Sequence, residues 1–131
     1  MMQMLQPLDP LSTSFSANAN RCRKWIVDAL RYAHNSHTYE QVIEIVKRGD
    51  AQLWSFSDSA IVTEIIDYPQ RRTLRFWLAG GNLKTLLDVE PKIRKWSILY
   101  QCEAVEIIGR KGWEKVLKGY EPTAIVLVKE I

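Results

Sequence analysis

The sequence has few of the residues that mark disulfide frameworks or metal sites. Its two cysteines, Cys22 and Cys102, lie far apart and show no metal or redox spacing. We therefore expect reduced thiols rather than a disulfide. The two histidines, His34 and His37, have no cysteine beside them and fall in a predicted connection between helices. This placement favours loop residues over metal ligands, and the sequence predicts no metal site.

Long apolar runs and a strong charge of either sign are also missing. No apolar run approaches the roughly 18 residues of a membrane-spanning helix, and residues 1–7 lack the basic and apolar regions of a secretory signal. The net charge is only +3, and the basic pairs are scattered among acidic residues. The sequence therefore does not show the clustered Lys and Arg residues that are typical of a nucleic-acid-binding surface. With 131 residues, 47% hydrophobic and 25% charged, the chain is expected to fold as one cytoplasmic globular domain.

Residues 1–20 differ in pattern from the remainder and are predicted to be an extended N-terminal arm ahead of a single domain over residues 21–131. Pro7 and Pro10 interrupt any helical or strand period. Such an arm is either a mobile terminus, or it is ordered by lying on its own domain or on a partner. The apolar residues that would make those contacts are Leu5, Leu8, Leu11 and Phe15.

Two helices are predicted after the arm. Asn20 is a candidate N-cap for a helix over residues 21–34, whose apolar residues recur at three- and four-residue steps. Thr38 followed by Gln41 matches a capping box. This pair predicts a second helix over residues 39–47, ended by Gly49.

Three strands joined by short turns are predicted next, over residues 51–56, 60–66 and 73–79, and such short links make antiparallel neighbours. Alternation along the middle strand places Glu64 between Val62 and Ile66 on one face of the sheet. Glu64 could act as a general base if that face is apolar and concave. It could equally form an ion pair with Arg75 on the neighbouring strand, and both interpretations stay open.

The third strand runs into Gly80 and Gly81, and a helix is predicted to follow them. Glycines leave backbone N–H groups uncovered, and the first turn of a helix favours negative charge. One interpretation is therefore that the two glycines form an anion-binding site. The other is a tight turn between two core elements, because short glycine motifs often have no ligand.

The rest of the chain alternates helix and strand. The helix after the glycines is expected to run to about Gln101, with a break at residues 88–90 and a restart at Pro91. A strand over residues 104–108, a short helix over 111–118 and a final strand over 123–129 follow. The predicted fold class is therefore mixed α+β: an antiparallel meander that continues into a parallel β-α-β end, with helices on both faces of the sheet.

This order of elements resembles the GNAT-type N-acetyltransferase fold over about residues 22–131. The chain also resembles small GNAT-like proteins encoded by tailed bacteriophages and prophages. The segments that carry the resemblance are Ala51-Gln52-Leu53-Trp54, Asp67-Tyr68-Pro69, Trp77-Leu78-Ala79-Gly80-Gly81 and Gly109-Arg110-Lys111-Gly112-Trp113, with Gly119-Tyr120 after the last helix. The family holds the pyrophosphate of acetyl-CoA on the loop after the third strand. The resemblance therefore implies a general base at Glu64 and cofactor contacts from Leu78, Ala79, Gly80, Gly81, Asn82 and Leu83.

The sequence departs from the family at the positions that bind the pyrophosphate and donate the proton. Active members have Arg/Gln-x-x-Gly-x-Gly/Ala in that loop, whereas only Ala79-Gly80-Gly81-Asn82 stands here. Many members place a tyrosine acid four residues before the glycine that ends the last helix, and this chain has Lys115 at that distance from Gly119. Fold similarity does not carry the chemistry with it.

Two classes of function follow from the resemblance. The first is a non-catalytic virion or assembly component near the head–tail junction. The reduced loop, the missing tyrosine and the apolar arm favour it. It would dock on other phage structural proteins, or on another copy of itself, through the arm residues named above. The second is an acetyl-CoA-dependent N-acetyltransferase with a reduced pyrophosphate loop. Either protein would be found in the cytoplasm of a bacterial host, and the first also in the virion.

Overall fold

The computed structural model describes residues 4–110 and 112–131 and contains one four-stranded sheet. The elements in chain order are α1 (Phe15–Tyr32), α2 (Tyr39–Lys47), β1 (Gln52–Ser55), β2 (Ser59–Asp67), β3 (Arg72–Gly81), α3 (Leu83–Leu99), β4 (Ala104–Ile107) and α4 (Trp113–Val116). The strands lie in the order β1-β2-β3-β4, antiparallel from β1 to β3 and parallel between β3 and β4. The predicted mixed α+β fold class is confirmed.

Helices cover both faces of the sheet. On one face, α1 and α2 pack against strand residues that include Leu53 and Val62. On the other face, α3 packs through Ile93 against strand residues that include Ile61. The alternation predicted for β2 accounts for this division, because neighbouring residues of a strand point to opposite faces.

The first helix begins earlier than predicted. α1 starts at Phe15 with Ser14 at its N-cap, so the predicted N-cap Asn20 lies inside the helix and the predicted arm boundary at residue 20 falls within it. The physical reason is that the buried stripe extends further toward the N-terminus, through Phe15 and Ala19. Ser16 between them is exposed and Asn18 is half-buried. Because these residues are polar, the helical spacing of the apolar residues is not evident from the sequence.

The residues predicted to anchor the arm on a partner largely contact this chain's own core. Phe15 is 2% exposed in the α1–α2 core, and Leu8 packs against the same core. The Leu8 N–H also donates a hydrogen bond of 2.8 Å to the carbonyl of Leu53. Leu5 packs against the α3 core, whereas Leu11 is 94% exposed. These contacts place most of the predicted anchors on the chain's own domain.

The second helix forms as the sequence predicts. Thr38 Oγ1 accepts a hydrogen bond from the Gln41 N–H, and the Gln41 side chain accepts one from the Thr38 N–H, which is the predicted capping box. At the other end Gly49 has φ +89°, and its N–H bonds to the carbonyl of Val46. The predicted glycine stop is therefore also confirmed.

The third helix is not broken at Pro91. α3 is one helix from Leu83 to Leu99 with Pro91 inside it, so the predicted break at residues 88–90 is wrong. Proline removes the hydrogen bond to the carbonyl four residues earlier, at a cost of about 3 kcal/mol. Buried side chains on both sides of the proline, including Val89 and Ile93, hold the helix against the sheet and offset this cost.

The C-terminal part of the chain has less regular structure than predicted. The strand at 104–108 is present as β4, but the short helix is confined to Trp113–Val116, and the predicted first residue of that helix, Lys111, lies outside the described residues. The final strand predicted over residues 123–129 does not form. A strand needs a neighbour to satisfy its backbone groups, and within the described residues this segment has none.

Candidate functional site

A cleft of about 350 Å³ opens where β3 ends and α3 begins. The end of β3 and the first turn of α3 form one side of it, and Arg110 and residues of α4 form the other. The residues that line it are Gly80, Gly81, Leu83, Leu86, Arg110, Gly112, Trp113 and Val116. The cleft therefore combines glycine backbone, one arginine and apolar side chains.

Close packing explains the two glycines at this site. They are the last residues of β3, paired with Ala60 and Ser59 of β2, rather than a loop. A Cβ atom on Gly80 would lie 2.5 Å from the Trp25 carbonyl oxygen, and one on Gly81, where φ is +113°, would lie 2.3 Å from the Asp58 carbonyl oxygen. The tight-packing interpretation accounts for both residues, and a glycine substitution cannot serve as a clean test of anion binding.

The start of α3 presents backbone donors to the cleft. Asn82 is the N-cap, and its Oδ1 accepts a hydrogen bond of 3.1 Å from the Thr85 N–H. The N–H groups of Leu83 and Lys84 belong to the first turn, where a helix supplies no acceptor of its own. Leu83 lines the cleft and is 47% exposed, so these donors lie near solvent. The arrangement suits an anion.

Two charges of opposite sign flank these donors. Arg110 lines the cleft, and its guanidinium lies 4.0 Å from the centre of the Tyr32 ring. Asp58 lies at the first turn of α3, where one carboxylate oxygen accepts a hydrogen bond of 3.1 Å from Thr85 Oγ1. An anion in the cleft would therefore be attracted by Arg110 and repelled by Asp58.

The six residues predicted to contact a cofactor divide between the cleft and the core. Gly80, Gly81 and Leu83 line the cleft. Leu78 is 3% exposed in the α1–α2 core and Ala79 packs against the α3 core, so their side chains serve packing. Asn82 acts as the helix cap described above. Cofactor contact by these residues stays a prediction.

Glu64 is held in an ion pair. Its Oε1 lies 3.3 Å from Nη1 of Arg75, its directly paired residue on β3. Arg75 also bonds Glu106 on β4 through Nε at 2.7 Å. Burial alone would lower the pKa of Arg75, but the hydrogen bonds with Glu106 and Tyr68 raise it. The predicted pairing of Glu64 with Arg75 is confirmed.

Glu64 is also distant from the glycine end of the cleft. Its partner Arg75 precedes Gly80 by five residues of β3, which corresponds to roughly 16 Å of strand. A role as general base is untested and stays a prediction. It requires a ligand long enough to span from the start of α3 to this part of the sheet.

Between these two points β3 carries a bulge. Val62 pairs with Leu78 and Thr63 pairs with Phe76, so Trp77 is an extra residue on β3. The ring of His37, from the α1–α2 connection, meets the Trp77 ring edge-on at 4.8 Å. Bulges re-aim side chains and interrupt ladder hydrogen bonds, and they are common beside active sites.

Sequence analysis missed the charged residues of the cleft. Arg110 belongs to one of the scattered basic pairs, and its position between a predicted strand and Gly112 is the signal that could have identified it. Asp58 lies in the turn between the first two predicted strands, and nothing local in the sequence places it at the start of α3. The described residues contain no group of three or more His, Cys, Asp or Glu that could hold a metal ion. Among them there is also no helix with the length and apolar character to cross a membrane.

Neither a protein-family model nor a curated protein matches this sequence. Solved structures do match the fold. A GNAT family acetyltransferase of Staphylococcus aureus has a TM-score of 0.61 at 12% identity, covering 96% of this chain and 96% of that one. A Thermus thermophilus protein has a TM-score of 0.61 at 13% identity, covering 99% and 97%. A possible acetyltransferase from Clostridium difficile has a TM-score of 0.54 at 9% identity, covering 96% and 95%.

These likenesses extend over nearly the whole chain on both sides of each comparison. At such low identities they show the fold alone, and they give no support to a phage origin. The chain has the fold of GNAT acetyltransferases.

Proposed function

We propose that this protein binds acetyl-CoA in the cleft and transfers the acetyl group to an amine. The observation that carries the proposal is the meeting of the α3 N-terminus with Arg110 in one cleft. Backbone donors at a helix N-terminus bind phosphate groups, and an arginine beside them adds a positive charge. The shared fold adds weight, because acetyltransferases are among the structures that resemble this chain.

The residues present fit the diphosphate and the adjoining arm of the cofactor in chemistry. The cleft volume of about 350 Å³ lies at the lower end of the roughly 300–1,000 Å³ usual for small-molecule sites. Leu86, Trp113 and Val116 provide an apolar wall, which suits the uncharged arm between a diphosphate and a thioester. When bound, acetyl-CoA would supply an activated acetyl thioester. As the amide bond forms, its C–S bond would break, and coenzyme A would leave as a thiolate that takes a proton from water.

Each group of the chain then has a defined task. The N–H groups of Leu83 and Lys84 and the Arg110 side chain would hold the diphosphate, and Trp113 would pack against the apolar part of the cofactor. Glu64, directly or through water, takes the proton from the attacking amine, and Arg75 orients its carboxylate. Amine attack needs such a base because a protonated amine has no free electron pair.

The assembly role is less well supported. It rested on the reduced loop, the missing tyrosine acid and the arm, and three of the four predicted arm anchors, Leu5, Leu8 and Phe15, contact the chain's own core. The comparisons do not support a virion role. Docking through the arm stays an untested prediction.

Reversing the charge of Arg110 should weaken acetyl-CoA binding by about 100-fold. Arg110→Glu removes an attraction to the diphosphate and adds a repulsion, together worth about 2.7 kcal/mol. The measurement is isothermal titration of acetyl-CoA into the purified protein. Arg71→Glu, in the exposed β2–β3 turn, is the matched control and should bind like the natural chain. Equal affinities for the two variants, or no binding by the natural chain at millimolar ligand, would overturn the proposal.

Neutralising Asp58 should act in the opposite direction. Asp58→Asn keeps an acceptor for Thr85 Oγ1 but removes a negative charge beside the diphosphate donors. We expect acetyl-CoA affinity to rise by about three- to tenfold at low salt and by less at high salt. The same titration at two ionic strengths measures this. An affinity that falls, or a gain that does not depend on salt, would place the diphosphate away from the α3 N-terminus.

A further inference from the structure

Three charged residues stand side by side in one row across the sheet. Glu64 of β2 pairs directly with Arg75 of β3, and Arg75 pairs directly with Glu106 of β4. One guanidinium group therefore serves two carboxylates. The side chains of Glu64, Arg75 and Glu106 are 23%, 25% and 33% exposed, so water screens their interactions only in part.

Arg75 is shared unequally between the two carboxylates. Its Nε lies 2.7 Å from Oε1 of Glu106, whereas its Nη1 lies 3.3 Å from Oε1 of Glu64. Hydrogen bonds from N–H to oxygen usually measure about 2.7–3.2 Å. The bond to Glu106 is therefore a close one, and the bond to Glu64 is at the long limit.

Tyr68 reinforces the contact between Arg75 and Glu106. Its hydroxyl shares its proton between the two carboxylate oxygens of Glu106, at 3.0 and 3.2 Å, and accepts a hydrogen bond of 3.1 Å from Nη2 of Arg75. Burial would lower the pKa of Arg75, but the bonds with Glu106 and Tyr68 raise it, so the group stays a cation. Nε and Nη2 of Arg75 are thus both held by this contact, which leaves Nη1 for Glu64.

Glu64 keeps one carboxylate oxygen available as a result. Its Oε1 accepts the bond from Arg75, and among the described residues nothing donates to its Oε2. A carboxylate that shares its cation with a second carboxylate binds a proton more readily than one in an exclusive ion pair, because the attraction is divided and the like charge repels. An exclusive pair with Arg75 would therefore make Glu64 a poorer proton acceptor.

Other charges on the neighbouring elements are compensated by partners of their own. The ring of His37, from the α1–α2 connection, contacts an aromatic ring of β3. The remaining ion pairs on or beside β1, β2, β3, α1 and α2 are Arg48–Asp50, Arg72–Asp67, Arg31–Asp28 and Arg23–Glu40. We therefore expect the charge of Glu64 to respond chiefly to Arg75 and Glu106.

We propose that Glu106 is a positioning residue that draws Arg75 toward itself and so preserves Glu64 as a proton acceptor. This inference rests on the function proposed above, in which Glu64 takes the proton from the attacking amine. Glu106 acts through Arg75 and does not take that proton itself.

The first test measures Glu64 directly and needs neither cofactor nor amine. The side-chain carboxyl signal of Glu64, identified by its loss in Glu64→Gln, is followed by ¹³C NMR as the pH is varied. Glu106→Gln removes a repulsive charge and frees Arg75 to close on Glu64, so the titration midpoint of Glu64 should fall by about one pH unit. The variant is isosteric at a partly exposed site, and the same spectra show whether it is folded.

Glu103→Gln is the matched control. Glu103 is exposed just before β4, so its replacement removes one negative charge without touching Arg75, and the midpoint should stay nearly unchanged. An unchanged or raised midpoint in Glu106→Gln would overturn the proposal. Equal falls in the two variants would also overturn it, because the effect would then come from overall charge.

The second test measures acetyl transfer from acetyl-CoA to butylamine at neutral pH. A weaker base should lower kcat of Glu106→Gln by about threefold and leave KM for acetyl-CoA unchanged. A lower midpoint with an unchanged kcat would overturn the role of Glu106 in the reaction. A lower midpoint in a protein whose natural chain transfers no acetyl group would support the positioning of Arg75 and overturn the proposed function instead.

Discussion

Replacing Gly81 with alanine should lower the free energy of unfolding by about 3 kcal/mol. Gly81 has φ +113°, which strains any L side chain, and a Cβ there would lie 2.3 Å from the Asp58 carbonyl oxygen and 2.5 Å from the Cα of Ser59. Both obstacles are backbone atoms of the adjacent hairpin, so neither can move aside without disturbing β2. Urea unfolding followed by circular dichroism measures the change.

Gly49→Ala is the matched control for this substitution. Gly49 has a similar positive φ of +89°, but nothing lies within 4 Å of a Cβ placed on it. It should therefore lose only the conformational term, about 1 kcal/mol. If both variants lost the same stability, the close approach of β3 to the hairpin would not be the reason for glycine at position 81.

Replacing Trp54 with alanine should cost about 4 kcal/mol, the range of large-to-small changes at buried aromatic residues. Trp54 is 1% exposed, and its ring meets that of Trp96 edge-on at 5.1 Å. Its Nε1–H donates a hydrogen bond of 2.9 Å to Thr63 Oγ1, and the Thr63 hydroxyl in turn donates one to Oε1 of Gln52. Alanine would leave a cavity between β1 and α3 and remove this chain of bonds.

Trp54→Phe separates the volume of the ring from its hydrogen bond. Phenylalanine fills most of the space but has no N–H, so we expect a loss of about 1–2 kcal/mol. Thr63→Val removes the acceptor instead and leaves a buried N–H unpaired, which should cost about as much. An alanine variant no less stable than the phenylalanine one would show that Trp54 is not a packed core residue.

The parts of the fold that the sequence predicts are those where local patterns and tertiary packing agree. The capping box of Thr38 and Gln41 and the alternation around Glu64 both reflect contacts within a few residues or across one strand pair. The start of α1 and the continuity of α3 through Pro91 could not be predicted in this way. There, packing against the sheet outweighs the local signals of Asn20 and the proline.

The candidate site was only partly predictable for a related reason. The two glycines predict a site at the end of β3, where the cleft lies. The local sequence does not show whether glycine is needed there to bind an anion or to allow two backbone segments to approach closely. Arg110 and Asp58 come from segments far apart in the chain, and only the folded sheet brings both to the start of α3. The spacing of residues in a single sequence does not predict that two such distant segments lie side by side.

The absence of the final strand has a different physical cause. Residues 123–129 have the composition of a buried strand, and the prediction of strand propensity there is reasonable. A strand, however, exists only with a neighbour, and within the described residues β4 remains the sheet edge. Residues 123–129 can form a strand only where the edge of a sheet is available to pair with them.

The central claim is that the diphosphate of acetyl-CoA lies at the N-terminus of α3 beside Arg110. The most direct measurement is a titration of acetyl-CoA into ¹⁵N-labelled protein, observing the backbone amide signals by NMR. The account predicts that the Leu83 and Lys84 signals shift most and saturate, and that S-acetyl pantetheine, which lacks the diphosphate, moves them far less. Unchanged signals at millimolar acetyl-CoA, or shifts concentrated away from the cleft, would contradict it.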